Sequence, residues 1–292
     1  MDWIREFQHS IDYMEEHIRE ELDYDEVGAI MHLSGFYYQK IFSIMCGMSL
    51  KEYIRNRRLA LAGSELVSTD IRIVDLAMKY GYETQEGFTR AFTRLHGDTP
   101  GAVRKKKLPI KSFSKLSISI MMKGGESMDY KIEEKEGFTV IAKTQRFMKL
   151  VDVDGRGDIP SFWDACQKDG TIDFLERCGK KDGILGASLI GMCMEDSTVT
   201  KDFPYSIGTQ YDGKGVPEGY KLYEIPAATW IVFPVKGVMP DAIQKIWHKI
   251  FAEFFPASDY IPAGNYDFEV YPFGDMGKED YLSQIWIAVK KK

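Results

Sequence analysis

The chain has 292 residues, 44% of them apolar and 28% charged, with a formal net charge of −6. That length suits two domains, each large enough for a core of its own, and the composition excludes general disorder. No run of about 18 apolar residues and no apolar leader is present, so no membrane span is expected. Cys46, Cys166, Cys178 and Cys193 show no C-x-x-C spacing, so neither a metal, a cofactor nor a disulfide framework is expected, and a reduced cytoplasmic setting is the default.

The charge is unevenly placed: residues 1–35 carry net −8, residues 36–107 net +6, and residues 108–292 net −4. A basic block inside an acidic protein points to a local polyanion site. The first 107 residues read as helices. Trp3–Glu20 places Ile4, Phe7, Ile11, Met14 and Ile18 on one stripe. Further helices are expected near Tyr24–Met31, Gly35–Met45, Leu50–Leu66, Ile73–Tyr80, Gln85–Leu95 and Pro100–Lys106. Residues 104–123 carry seven positive charges and no acid, and 108–127 reads as a basic linker in which LSISIMM is either a short strand or an extended connection.

From Met128 the pattern changes. EGFTVIAKTQRF, KLYEIPAATWIVFPVKG, YDFEVYPFG and YLSQIWIAVKK read as strands, and SFWDACQKDGTIDFLERC and PDAIQKIWHKIFAEFF as amphipathic helices. Strand, helix and strands thus occur twice, with Trp163 and Trp247 in comparable places. The expected fold has two domains: an all-α domain (1–107), then a duplicated α+β strand–helix–strand domain (128–292) with a ligand cleft.

The helical half repeats at an offset of 50. Ser34 pairs with Thr84, Tyr38 with Phe88, Lys40 with Arg90, Phe42 with Phe92, Gly47 with Gly97 and Ser49 with Thr99. Each copy follows helix-turn-helix arithmetic, with Ser34 and Thr84 as N-caps and Gly47 and Gly97 as left-handed helix ends. The second helix of each copy has an apolar set (Tyr38, Ile41, Phe42, Met45; Phe88, Ala91, Phe92, Leu95). The opposite set is polar (Phe36, Gln39, Lys40, Ser43; Glu86, Thr89, Arg90, Thr93). The polar sets are either solvated faces or readers of base edges, and the matched cations Lys40 and Arg90 favour readers. Arg55, Arg57 and Arg58 on the joining helix, and Arg104, Lys105, Lys106 and Lys107 after the second copy, are candidate phosphate contacts. The joining helix of about 25 Å can hold two readers in successive major grooves of double-stranded DNA.

The segment from Tyr24 to Lys105, and IVDLAMKYGYETQEGFTRAFTRLHGDTPGAVR most specifically, resembles the AraC/XylS DNA-binding domain. The resemblance implies base readout by Phe36, Gln39 and Lys40 and by Gln85, Glu86, Thr89 and Arg90. Gly28 stands where that family usually has Ala, a change expected to weaken its helix by up to about 1 kcal/mol. Glu86 is acidic where a neutral amide is frequent. With this domain first, the arrangement resembles the Rob-like subgroup, whose second domain is GyrI-like, and the order of elements in 128–292 is similar. That implies a transcriptional regulator bound by a small-molecule effector, with RNA polymerase as a further possible partner.

Strand alternation places Asp267, Glu269 and Tyr271 on one face of their strand and Phe268 and Val270 on the other. It also separates Gln284, Trp286 and Ala288 from Ile285, Ile287 and Val289. If the aliphatic faces pack under helices, Glu269, Tyr271, Gln284 and Trp286 line a concavity suited to a lipophilic cation. Trp230, Tyr205 and Tyr223 are weaker candidates, and Trp163 and Trp247 are expected mainly in the core, either able to border the cleft. The GyrI-like resemblance implies that Glu269 is the pocket acid, and that Gln284 stands where a second acid sometimes sits. His9, His17, His32, His96 and His248 form no catalytic motif, and His96 is expected partly exposed. Two alternatives remain: a hydrolase of electrophilic compounds using Glu269 as base, and a ligand-independent scaffold.

Overall fold

The computed structural model describes residues 3–118, 127–147, 158–194 and 203–292. Seven helices come first: α1 (Trp3–Glu16), α2 (Tyr24–Ala29), α3 (Gly35–Cys46), α4 (Leu50–Ser68), α5 (Ile73–Lys79), α6 (Gln85–His96) and α7 (Pro100–Lys106). Their starts follow from capping chemistry. The side chains of Asp23, Ser49, Thr84 and Thr99 accept from backbone N–H groups in the first turns of α2, α4, α6 and α7. Gly47 and Gly97 have φ of 66° and 97°, the left-handed geometry expected after α3 and α6.

The chain divides into two compact units. Helices α1, α2 and α4–α7 with the residues up to 118 form one, and α3 belongs with the C-terminal residues in the other. In the helical unit Leu59, Ala62, Leu66, Leu76, Ala77, Tyr80, Phe88, Phe92 and Val103 make a common core. His96 is buried there, not partly exposed: its Nε2 donates to the Leu59 carbonyl at 3.0 Å, and its Nδ1 accepts from the Lys111 N–H at 3.1 Å. Burial holds its pKa below the ordinary histidine range, so the ring is neutral. Residues 108–118, expected to be linker, lie against the helices. Leu116 N–H donates to the Tyr53 hydroxyl at 3.2 Å, Ile118 N–H to Gln8 at 2.8 Å, and Lys115 pairs with Asp12 at 2.7 Å. Most of the possible strand LSISIMM lies outside the described residues.

The C-terminal unit is an eight-stranded antiparallel sheet with helices on one face. Its elements are β1 (Lys131–Lys135), β2 (Phe138–Phe147), α8 (Asp158–Lys168), α9 (Thr171–Cys178), β3 (Ser188–Met194), β4 (Phe203–Gln210), β5 (Lys221–Ile225) and β6 (Ala228–Lys236). Then come α10 (Asp241–Lys249), a π-helical turn (Ile250–Phe254), α11 (Phe255–Ala257), β7 (Tyr260–Pro272) and β8 (Leu282–Lys291). The strand order is β1-β6-β8-β7-β3-β4-β2-β5. The duplication expected from the sequence is visible in this order. One half runs β2, helices, β3, β4 and pairs as β2-β4-β3; the other runs β6, helix, β7, β8 and pairs as β6-β8-β7. The edge strands are exchanged, β1 pairing with β6 and β5 with β2, and the halves meet where β3 pairs with β7.

Gly28 has a role that helix propensity does not reveal. A Cβ there would lie 2.8 Å from the backbone of Leu33 and Ser34, so the turn closes only over a glycine. Gly28→Ala is therefore expected to lower stability by about 1–3 kcal/mol through overpacking, although alanine favours a helix. A higher melting temperature for Gly28→Ala would show that the turn relaxes freely.

Candidate functional site

Two surfaces matter, one on each unit. On α6, Phe88 and Phe92 are fully buried, and this fixes the opposite side as the free one. Gln85, Glu86 and Arg90 are exposed, Thr89 is half-buried, and the four line one shallow depression at the start of the helix. Side chains grouped around the first turn and a half of a helix suit entry into a major groove.

The expected phosphate contacts separate into two kinds. Arg57 is held by Glu15: Nε and Nη2 donate to its two carboxylate oxygens at 2.7 and 2.6 Å, and Nη1 donates to the Phe113 carbonyl. Arg58 donates to the carbonyls of Ile18 and Glu20, and Arg104 to those of Leu66 and Ile71. These three arginines bind the protein's own helix ends and acid, so their reading as phosphate ligands is corrected. Arg55 is exposed with a loose pairing to Glu52 at 3.5 Å, and Lys105 and Lys106 are exposed. A basic run in sequence does not distinguish cations that hold carbonyls from cations that face water.

On α3 the expected polar face is not a solvated one. Tyr38, Ile41 and Phe42 are buried as predicted, but Lys40 and Ser43 are buried too, while Phe36 and Gln39 are partly buried. Lys40 Nζ donates to Asp267 Oδ1 at 2.5 Å and lies 4.3 Å from the centroid of the Trp247 ring. The expected exposure of Lys40 is thus corrected, because helical periodicity shows a helix's two faces but not what a distant strand brings to either. Burial opposes its charge, and Asp267 more than restores it, so its pKa stands above the ordinary lysine value.

Asp267 belongs to an acid site at the seam between the sheet halves. Pairing of β3 with β7 sets Leu189 opposite Tyr271, Gly191 opposite Glu269 and Cys193 opposite Asp267. Glu269 Oε1 accepts from Trp247 Nε1 at 2.7 Å, and its Oε2 accepts from the Tyr271 hydroxyl at 2.9 Å. Trp163 Nε1 donates to the Tyr205 hydroxyl at 3.0 Å, and its ring meets Tyr271 edge-on at 5.5 Å. A Cβ on Gly191 would stand 2.2 Å from the Tyr205 hydroxyl and 3.2 Å from Glu269 Oε2, so this glycine makes room for both. Burial pushes the Glu269 carboxyl above its ordinary range, against the pull of the Trp247 indole, the Lys40 charge and the Tyr271 hydroxyl. Beside it, an open depression of about 310 Å³ is lined by Trp163, Asp164, Gln167, Glu176, Tyr271 and Phe273.

The structure therefore brings Glu269, Tyr271 and Tyr205 together, but not with Gln284, Trp286, Trp230 or Tyr223. The register of β7 with β8 sets Phe268 opposite Trp286, Glu269 opposite Ile285 and Val270 opposite Gln284. Trp286 and Trp230 lie in the hydrophobic cluster on the other face, where Trp230 stacks on Phe268 at 5.1 Å. Gln284, Trp286 and Trp230 are corrected accordingly: the sheet separates them from Glu269. Tyr223 also packs against that second cluster. Sequence reasoning passed over Gly191, placed Asp267 on the face of Glu269 without giving it a role, and counted Trp163 and Trp247 mainly as core. Indole burial alone could not single them out, since the Trp230 N–H is also buried and has no hydrogen-bond partner among the described residues.

The family of integron-associated effector binding proteins matches residues 131–289, more than half of the chain. The chain belongs to that family. A helix-turn-helix domain family matches residues 27–106. The regulatory protein SoxS of Salmonella typhimurium is 40% identical over 96 residues, which is 33% of this chain and 90% of SoxS. The uncharacterized HTH-type transcriptional regulator YbfP of Bacillus subtilis is 40% identical over 97 residues, and the chain spans only 33% of its length and 33% of its own in that match. A protein solved bound to tetraphenylphosphonium has a TM-score of 0.49 and 21% identity, over 56% of this chain and 94% of that one. The chain thus joins an AraC-type DNA-binding domain of transcriptional regulators to a GyrI-like effector-binding domain. Among the described residues, no helix is long and apolar enough to cross a membrane, and no His, Cys, Asp or Glu cluster suits a metal ion.

The two kinds of basic residue give opposite expectations. Arg57→Ala removes the cation from half-buried Glu15, which keeps the Tyr53 hydroxyl as a donor, and is expected to cost about 1–3 kcal/mol in unfolding free energy. Lys105→Ala with Lys106→Ala should leave stability within about 0.5 kcal/mol of the wild type and flatten the salt dependence of DNA binding. Denaturant unfolding and salt titrations measure the two, and equal stability of Arg57→Ala and wild type would return Arg57 to the surface set.

Proposed function

We propose that this family member is a DNA-binding regulator whose α6 reads bases and whose seam binds a lipophilic organic cation as effector. The observation that carries the effector class is Glu269, a carboxylate set among Trp247, Tyr271, Tyr205 and Trp163 with both oxygens accepting from fixed donors. Aromatic faces around one acid give a large apolar cation stacking, cation–π attraction and a charge partner together. The adjoining depression, with Asp164 and Glu176 on its rim, supplies an approach of the same sign. Fixed donors on both oxygens suit a carboxylate that holds a charge better than one that must turn to abstract a proton, so effector binding is preferred to hydrolysis. Turnover of an electrophilic compound that disappears in Glu269→Gln would reverse that preference. RNA polymerase is the remaining macromolecular partner in this reading, and a cytoplasmic setting goes with it.

DNA readout is assigned to Gln85, Glu86, Thr89 and Arg90 of α6, with Phe36, Gln39 and Lys40 of α3 as the first reader and Arg55, Lys105 and Lys106 toward phosphates. Arg90→Ala is expected to lose about 1–3 kcal/mol of affinity for a selected duplex and to relax specificity at one base position. Titrations of a selected and a scrambled duplex measure it. A uniform loss on both would make Arg90 a phosphate contact.

Effector binding should depend on pH through Glu269. Its carboxyl titrates above the ordinary range, so at low pH it is neutral and contributes no charge attraction. Affinity for tetraphenylphosphonium is expected to rise with pH through that raised value, by at most about tenfold per unit, and then level off. Neutral triphenylphosphine oxide should show no such rise, and Glu269→Gln should abolish it for the cation. Calorimetry that finds the same rise in Glu269→Gln would assign the charge elsewhere.

A further inference from the structure

Lys40 already occupies the kind of place that an organic cation needs. Its ammonium sits over the Trp247 ring at 4.3 Å and within 6.0 Å of the Tyr37 ring centroid, and it pairs with Asp267. Glu269 is two residues along the same face of β7 and holds the other edge of the same indole through Trp247 Nε1. Tyr37 meets Phe251 of the π-helical turn edge-on at 6.4 Å, which anchors α3 on the helix-bearing face of the sheet. Helix α3 belongs to this unit by its contacts. Yet Lys40 is the register match of Arg90, which stands exposed on α6. The two copies of one motif hold their matched cations in opposite environments.

One ammonium cannot both pair with a buried carboxylate and reach a base edge. We infer that α3 is an internal competitor of the effector: seated on the seam, Lys40 keeps the first reader from DNA, and an organic cation that enters the seam displaces it. This rests on the reading above, that α3 contacts DNA and the seam binds a cation. It also fixes the charge of the effector. Withdrawal of Lys40 leaves Asp267 and Glu269 on one face with no cation between them, and a neutral ligand cannot offset two buried carboxylates. Because DNA and cation then favour the same released state, each must raise affinity for the other by the same factor.

The test uses the full chain, a selected DNA duplex, tetraphenylphosphonium and neutral triphenylphosphine oxide. Saturating cation is expected to tighten DNA binding at least tenfold, DNA to tighten cation binding equally, and the neutral compound to do neither. Asp267→Asn is expected to tighten DNA binding by a similar factor without any ligand and to respond little to added cation. A second readout needs neither DNA nor a variant: acetic anhydride labelling followed by mass spectrometry. Lys40 should be protected relative to exposed Lys51 and become reactive when the cation binds. Cation binding by calorimetry with Lys40 still protected, or with DNA affinity unchanged or weakened, overturns the competition while leaving an effector site in place. An Asp267→Asn protein that folds and binds DNA as the wild type does overturns it as well. If the cation does not bind and Lys40 is labelled as fast as Lys51, both the competition and the effector reading fall. If Asp267→Asn does not fold, the labelling of the wild type decides.

Discussion

A charge buried at a sheet seam must be met by a counter-charge or by donors, because leaving it unpaired in a low dielectric costs several kcal/mol. Much of the C-terminal unit is arranged around that constraint. Asp267 is met by the Lys40 ammonium, and Glu269 by the Trp247 indole and the Tyr271 hydroxyl. Gly191 has no side chain because the Tyr205 hydroxyl and a Glu269 oxygen need its space. Trp163 and Trp247, one from each half of the duplication, both turn their N–H groups toward oxygen on this face. Tyr205 and Tyr271 are driven well above the ordinary phenol range, first by burial and then by the Glu269 charge, so they remain hydroxyls that can donate.

The helical repeat shows how one local pattern takes two meanings. Tyr38 and Phe42 of α3 and their matches Phe88 and Phe92 of α6 are buried in both copies, because each helix must cover a core. The opposite faces differ by what the rest of the chain brings to them. Around α6 the surface is free; around α3 it meets strand β7 and the π-helical turn. The arginines sort by the same logic. Those at helix ends find carbonyls and a carboxylate within the helical unit, and such bonds outcompete solvent once the neighbouring apolar surface is buried.

Local chemistry was legible in the sequence where one element decides it: the helices, the hydroxyl caps, the left-handed glycines and the strand–helix–strands duplication. Pairing between elements was not. Alternation along β7 separated Glu269 from Phe268, and alternation along β8 separated Trp286 from Ile285. Neither states which face of one strand adjoins which face of the next, and a shift of one residue exchanges them all. Hydrophobicity alone put the aliphatic sets together; the register set Phe268 against Trp286. Asp267 was seen on the face of Glu269 but had no visible partner, since Lys40 lies 227 positions away. Gly28 read as a weak helix residue because the backbone that fills its missing Cβ space comes from the following turn.

The exchange of edge strands limits how this unit can respond to a change of occupant. β1 precedes the first half but pairs with β6 of the second, and β5 precedes the second half but pairs with β2 of the first. Each half therefore carries the other's edge, and the halves are also paired directly along β3 and β7. Opening the seam would break the β3–β7 ladder, while the short links from β1 to β2 and from β5 to β6 keep the halves tethered, so the floor bearing Asp267, Glu269 and Tyr271 is stiff. Adjustment falls to what rests on the floor: α8 with Trp163, α10 with Trp247, and α3. All three carry buried apolar side chains, Phe162 and Cys166 on α8, Ile243 and Trp247 on α10, and Tyr37 and Ile41 on α3, and α3 also carries the cation that pairs with the floor. Under the competition inferred above, a rigid floor with a fixed negative charge turns exchange of a bound cation into movement of the element that carries it.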